Sequence, residues 1–128
     1  MKKRNTLSKA ERLNSKLIID KLFAGGNKST AAYPLRAVYM ETDKQEQPTI
    51  SILTSVSKRK QHKAVERNRM KRQIREAYRL NKHKLWHKLE ESNKKIVIAF
   101  ICISEEQCST PQVRRSVIKI LSRISDNV

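Results

Sequence analysis

The apolar residues of the first part of the chain recur every three to four positions, which predicts an amphipathic helix that ends at Phe23. Either Thr6 or Ser8 can cap its start, and Ser8 and Glu11 have the spacing of a capping box. The only two glycines of the chain, Gly25 and Gly26, follow directly and are expected to stop the helix.

Two shorter segments, residues 35–40 and 49–56, have the partly alternating pattern of β-strands. Residues 27–34 before them have the pattern of a loop, and the polar residues 42–48 connect them. Because a short polar link favours a hairpin, we expect these two strands to pair antiparallel. Serine and threonine at alternate positions of the second strand predict one polar face of the sheet.

The segment from Val65 to Leu89 contains neither glycine nor proline and is rich in good helix formers, which predicts one long helix. At about 100° per residue, one side of this helix is apolar and suited to pack on a core. That side is formed by Met70, Ile74, Ala77, Asn81 and Leu85. The neighbouring arc presents a row of cations to solvent, formed by Arg67, Lys71, Arg75, Arg79 and Lys82.

The last part of the chain combines a buried strand with a final helix. Residues Lys95 to Ile103 form a continuous apolar run, typical of the centre of a sheet. Thr110 and Pro111 are expected to be the N-cap and first residue of the helix. The resulting order, α-β-β-α-β-α, predicts an α+β fold in a single domain spanning residues 1–128, with residues 1–5 expected to be flexible.

Positive charge is concentrated in one stretch of the chain. Residues 58–88 hold thirteen lysines and arginines against two glutamates, so they carry +11 of the net charge of +17. The signs do not alternate along the helix, so the cations repel one another, and this favours an external polyanion over a merely solvated face. Nucleic acid is the polyanion we expect, and an anionic membrane surface is the next alternative. A basic-zipper DNA binder is disfavoured because Leu85 and Leu89 are too few for sustained heptads.

No constellation in the sequence is typical of a protein active site. His83 and His87 have a spacing that can hold a metal ion, but the positive surroundings argue against this. Cys102 and Cys108 lack the CxxC spacing and fit a reducing compartment. The longest apolar run is too short to span a bilayer, and because no apolar stretch follows the charged start we expect no signal peptide. We therefore expect a cytoplasmic binding module without a bound metal, a membrane partner or a DNA partner.

Two aromatic rings have an alternative role in RNA binding. If Phe23 and Tyr39 were exposed beside the cationic helix, they would stack on the bases of a single strand. The spacing of the two residues favours the other interpretation, in which both rings belong to the core.

The segment Lys-Ala-Val-Glu-Arg-Asn-Arg-Met-Lys-Arg at residues 63–72 resembles the bacterial ribonuclease P protein component. The family's Arg-Asn-Arg motif, the Lys-Arg that follows it and an arginine one turn later match Arg67 to Arg69, Lys71-Arg72 and Arg75. Two further elements also match, Ser55-Val56-Ser57-Lys58 at the end of a strand and Leu22-Phe23-Ala24-Gly25 at the end of the first helix. The resemblance extends in order over nearly the whole chain.

The resemblance implies a four-stranded sheet in an α/β sandwich of the order α-β-β-(β)-α-β-α, one strand more than the pattern predicts. It also implies a left-handed β-α-β crossover in place of the right-handed default. The function it implies is that of the protein subunit of ribonuclease P, which matures the 5′ ends of tRNA. Its partners would be the catalytic RNA and precursor tRNA, and the RNA would carry out hydrolysis with Mg²⁺. The alternative is a structural RNA-binding protein, such as a small ribosomal protein.

Carried over residue by residue, the resemblance implies two groups of RNA-binding residues and no catalytic residue. A cleft for the 5′ leader would be lined by Phe23, Tyr39, Ser55, Lys71 and Arg75. The side facing the catalytic RNA would be formed by Lys58, Arg67, Asn68, Arg69 and Arg72. The chain departs from the family at Ile19, where many members have a second phenylalanine, and at the longer, more basic loop 59–63.

Overall fold

A four-stranded mixed sheet and three helices form the part of the chain that the computed structural model describes, residues 28–42, 49–59 and 61–128. In chain order the elements are β1 (Lys28–Ala32), β2 (Leu35–Thr42), β3 (Ile50–Ser55), α1 (Ala64–Asn81), α2 (His83–Glu91), β4 (Lys95–Cys102) and α3 (Thr110–Asn127). The predicted α+β class is thereby confirmed. The predicted first helix lies outside the described residues, and so do Ile19 and Phe23 within it.

The strands lie in the order β1-β2-β4-β3. β2 pairs antiparallel with both β1 and β4, whereas β3 is parallel to β4. The predicted antiparallel pairing of β2 with β3 is therefore wrong, because the continuously apolar β4 takes the place between them that is covered on both faces. β3 and β4 are joined through α1 and α2 as a β-α-β unit, and the left hand of this crossover stays a prediction.

Strand β1 lies in a segment predicted to be a loop, and that prediction is wrong. Its sequence, Lys-Ser-Thr-Ala-Ala, is mostly exposed and has no apolar alternation, because it forms an edge of the sheet. It is defined by its backbone pairing with β2, from Lys28 opposite Tyr39 to Ala32 opposite Leu35. At this edge, the Arg123 guanidinium of α3 donates to the hydroxyl of Thr30 and the carbonyl of Ala31.

The two faces of the sheet differ in what covers them. Tyr39, Ile98 and Ile52 share one face by register, and they belong to the large core cluster that includes residues of all three helices. Val38, Ala99 and Leu53 share the other face and belong to a smaller cluster. Because β4 contributes buried side chains to both clusters, its prediction as the central strand is confirmed.

The predicted single basic helix is two helices, with Lys82 between them. The Lys82 side chain, expected in the solvent-facing row of cations, is only 5% exposed. Its ammonium lies 5.8 Å from the centre of the Tyr78 ring and 5.2 Å from that of Trp86. Such cation–π contacts stabilise a partly desolvated charge, so Lys82 belongs to the core and not to the solvent-facing row.

Helix α3 runs beside α1 in the same direction. Near its start, the Gln73 side chain of α1 donates to the carbonyl of Cys108 and to the hydroxyl of Thr110. The N-cap of α3 is Ser109, whose hydroxyl accepts from the Gln112 backbone amide at 3.3 Å, and not Thr110 as predicted. Ser109 takes this place because its backbone is extended, at φ −70° and ψ 155°, whereas Thr110 is already helical.

Candidate RNA-binding surface

Helix α1 carries cations on two neighbouring sides, because residues three and four apart share a side of a helix. The first set, the β3-side row, consists of Arg67, Lys71 and Arg75, all partly buried. The Arg75 guanidinium is 3.4 Å from the Thr54 hydroxyl near the end of β3. Among the described strands β3 lies at an edge of the sheet, and the row lies beside that edge.

The second set, the outer group, consists of Asn68, Arg69 and Arg72, which are exposed. Lys58, in the turn after β3, is exposed as well. Arginine presents a planar set of donors that fits phosphate oxygens, so exposed arginines on one helix suit an RNA backbone. The structure therefore brings together on one exposed side of α1 three of the five residues expected to face the catalytic RNA.

Arg67 differs from the rest of the motif because the protein itself uses its guanidinium. Nη1 donates to the backbone carbonyls of Gln61 at 3.0 Å and His62 at 2.9 Å. The buried Gln61 amide in turn donates to the carbonyls of Ser104 and Glu106, both at 3.0 Å. This network ties the loop before α1 to the loop after β4 and sets where the helix begins.

Sequence reasoning missed the role of Gln61, because a polar residue in a basic loop has no periodic signal. The burial of Gln61 is unexpected as well, because the loop 59–63 is long and basic and would be expected to lie in solvent. A glutamine becomes buried where its amide can satisfy several backbone carbonyls at once, and only the contact with the loop after β4 provides these.

The residues expected to line the leader cleft are not all together. Arg75 contacts Thr54 near the end of β3, and Lys71 lies one turn before Arg75 on α1. Ser55 is on the sheet face opposite the helices, paired with Ile101 in the register. Tyr39 is 4% exposed and lies in the core under the helices, which favours the core interpretation of this ring. Phe23 lies outside the described residues.

One acidic side chain interrupts the outer side of α1. Glu76 forms an ion pair with Arg79, one turn later. The hydrogen bond from Arg79, together with the positive charges of Arg79 and Arg114, holds the pKa of the Glu76 carboxyl below its ordinary value. The acid is thus paired within the protein, and the exposed arginines of the outer group keep their positive charge.

The described ranges contain no group of three or more His, Cys, Asp or Glu side chains that could hold a metal ion. Cys102 and Cys108 are buried free thiols, and the Cys102 thiol donates to the Ser104 carbonyl. No helix in the described part of the chain is long and apolar enough to cross a membrane.

The chain is similar to known proteins in both its sequence and its fold. The family described as Ribonuclease P matches residues 7–125. The ribonuclease P protein component of Porphyromonas gingivalis is 43% identical over 122 residues, which cover 95% of this chain and 88% of the relative. That of Chlorobium phaeobacteroides is 38% identical over 90 residues, covering 68% of this chain and 61% of the relative. The Staphylococcus aureus RNase P protein has a similar fold, with a TM-score of 0.63 at 23% identity, covering 91% of this chain and 96% of that one.

The mixed sheet and the cation-rich helix beside its β3 edge define an α+β RNA-binding domain. The chain belongs to the ribonuclease P protein family, whose match spans almost all of it. It is thus a protein subunit of the tRNA-processing endoribonuclease and works with the ribonuclease P RNA. The alternative of a small ribosomal protein is not favoured.

Proposed function

We propose that this chain holds precursor tRNA against the catalytic RNA of ribonuclease P while that RNA removes the 5′ leader. The observation that carries the proposal is the arrangement of cations on α1, where the β3-side row and the outer group lie next to each other. Two such rows on one helix destabilise it by mutual repulsion. Binding of two RNA strands on neighbouring sides would offset this repulsion.

The outer group is proposed to bind the phosphates of the catalytic RNA, together with Lys58. Arg69 and Arg72 are exposed, so both can be reached by a large RNA. Arg67 has a different part in this scheme. Because its guanidinium binds two loop carbonyls, it positions the start of α1, and thereby the exposed arginines, relative to the rest of the protein.

The β3-side row is proposed to hold the 5′ leader. Lys71 and Arg75 supply the charge, and the hydroxyl of Thr54 near the end of β3 can donate to a phosphate or ribose oxygen. Phe23 would add a ring on which a base can stack. Tyr39 supports the strand from inside the core, and we do not assign base stacking to it.

Magnesium ions in the holoenzyme are proposed to be held by RNA. The described residues offer no cluster of carboxylates that fits such an ion. The contribution of the protein is electrostatic, because its cations reduce the repulsion between the two RNAs and so lower the magnesium concentration that cleavage requires. We place this function in the cytoplasm, a compartment in which free thiols such as Cys102 and Cys108 stay reduced.

The first test is cleavage of a precursor tRNA by the cognate catalytic RNA at low magnesium, with and without the protein. We expect the protein to restore cleavage and the effect to decrease when the leader is shortened. RNA binding without restored cleavage would contradict the proposed function.

A salt titration tests separately whether the β3-side row binds the leader. Each phosphate neutralised on a single strand contributes a slope of about −0.7 in log K against log salt, so two cations give roughly −1.4. The double variant Lys71→Gln/Arg75→Gln should therefore lose about 1.4 of the slope for precursor tRNA, and little for mature tRNA. An equal loss for both tRNAs would show that the row does not contact the leader.

A further inference from the structure

Helix α3 has a basic outer side of its own. It is separate from the Arg-Asn-Arg motif and from the β3-side row, both of which lie on α1. Between Thr110 and Ser125 it contains four cationic residues and no acid. Arg123 is used within the fold, since its guanidinium donates to β1. The others, Arg114, Arg115 and Lys119, are exposed.

This basic side is continuous with the outer group of α1. Arg69 lies one turn before Gln73, and the Gln73 side chain contacts the first turn of α3 through Thr110. One turn further along, Arg114 is close enough to the Glu76–Arg79 pair for its charge to act on the Glu76 carboxyl. The two parallel helices therefore present one broad basic surface on the side of α1 away from β3.

A groove opens in this surface between α2 and α3. Its volume is about 270 Å³, and its walls include Leu85, Ile118 and Leu121 with Lys84 and Ser122 among its polar residues. Ile118 is 42% exposed, so its side chain is not fully covered by the protein. The volume lies just under the range of roughly 300–1,000 Å³ that is usual for small-molecule pockets, so the groove has room for no more than a small group such as a single nucleobase.

We propose that Lys84, Arg114, Arg115 and Lys119, with the groove beside them, form a second surface for the catalytic RNA. Phosphates of that RNA would lie on the cations, and one unpaired base would enter the groove, whose apolar walls and hydroxyls suit a base face and edge. The inference rests on the proposed function. The charge of the surface and its continuity with the outer group favour the catalytic RNA over the leader, which is assigned to the opposite side of α1.

The test compares two double variants of the full chain that remove the same charge. Arg115→Gln/Lys119→Gln changes the proposed surface, and Lys28→Gln/Arg36→Gln is the matched control, because both of its residues are exposed on β1 and β2. Affinity for the catalytic RNA and for precursor tRNA is measured across a range of salt concentrations. Thermal unfolding checks that each variant remains folded.

We expect the α3 variant to lose about 1.8 of the salt slope for the catalytic RNA, from two phosphates at roughly 0.9 each on a duplex. The control should lose far less, and neither variant should change the slope for precursor tRNA. Equal losses in the two variants would mean that α3 is only a solvated face and would overturn the proposal. A loss confined to precursor tRNA would overturn it as well.

The groove is tested by Ser122→Leu, which fills it without changing the charge. Chemical probing of the catalytic RNA should show an unpaired nucleotide that is protected by the unchanged protein and becomes reactive with the variant. Identical protection patterns would remove the groove from the proposal. Failure of the proposed function is recognised separately, because the unchanged protein would then bind RNA without restoring cleavage at low magnesium.

Discussion

The basic segment of the chain divides at Lys82 into two regions that use the same kind of residue differently. On α1, Arg69 and Arg72 are exposed and free to meet a polyanion. In the following region, Lys82 is buried against two aromatic rings, and the Lys88 ammonium donates to the Ser125 carbonyl of α3. A cation is therefore either held by the fold or left exposed, where we propose that it meets RNA, according to the side of the helix on which it lies. The density of charge alone does not distinguish the two.

The largest effect on stability is expected at Tyr39, an aromatic residue that is buried in the core and not exposed to RNA. Tyr39→Ala removes a ring from the core cluster and should lower the free energy of unfolding by about 3 kcal/mol, the size usual for loss of a buried aromatic ring. Chemical denaturation measures this change. Binding of precursor and mature tRNA should be weakened alike. A selective loss for precursor tRNA without loss of stability would instead assign Tyr39 to the leader cleft.

A smaller loss is expected when the buried cation is replaced. Lys82→Met keeps the aliphatic stem but removes the charge above Tyr78 and Trp86, so stability should fall by about 1–2 kcal/mol. Thermal and chemical unfolding measure it, with Lys28→Met as the control because Lys28 is exposed and lies outside the proposed RNA-binding surfaces. If Lys82→Met were as stable as the control and weakened RNA binding, the division of the basic segment at Lys82 would be wrong.

Replacing the exposed cations should weaken RNA binding and leave the stability of the fold nearly unchanged. Arg69→Gln/Arg72→Gln is expected to change the free energy of unfolding by no more than about 0.5 kcal/mol, as is usual for surface substitutions. The same variant should lose roughly 1.8 of the salt slope for the catalytic RNA. Filter binding at several salt concentrations measures the slope. Unchanged RNA affinity would exclude the outer group from the interface.

The smallest effect is expected for the exposed ion pair that Glu76 forms with Arg79 on α1. Because the folded protein lowers the pKa of Glu76, the pair stabilises the fold above the ordinary pKa of a glutamate and loses this contribution as the pH falls through the lowered value. Glu76→Gln should therefore cause a small decrease in Tm at pH 7 that disappears at strongly acidic pH. A decrease of the same size at both pH values would contradict this origin.

Much of the fold could be predicted from local patterns. The strands 35–40 and 95–103 and the helix beginning near Thr110 were recognised because their side chains meet water and core at a regular period. Strand β1 was not, since an edge strand with few apolar residues is defined by its partner. The pairing of β3 with β4 likewise depends on which strand is covered on both faces, a property of the assembled sheet.

By itself, the sequence determined the elements with strong periodicity, the concentration of positive charge in residues 58–88 and the family to which the chain belongs. Only the tertiary structure decided the strand order, the break at Lys82, the burial of Tyr39 and the use of Arg67 to hold the loop at Gln61. The physical reason is that periodicity and charge are local properties of the chain. Burial, cation–π contacts and hydrogen bonds between loops depend instead on residues that folding brings together from distant positions.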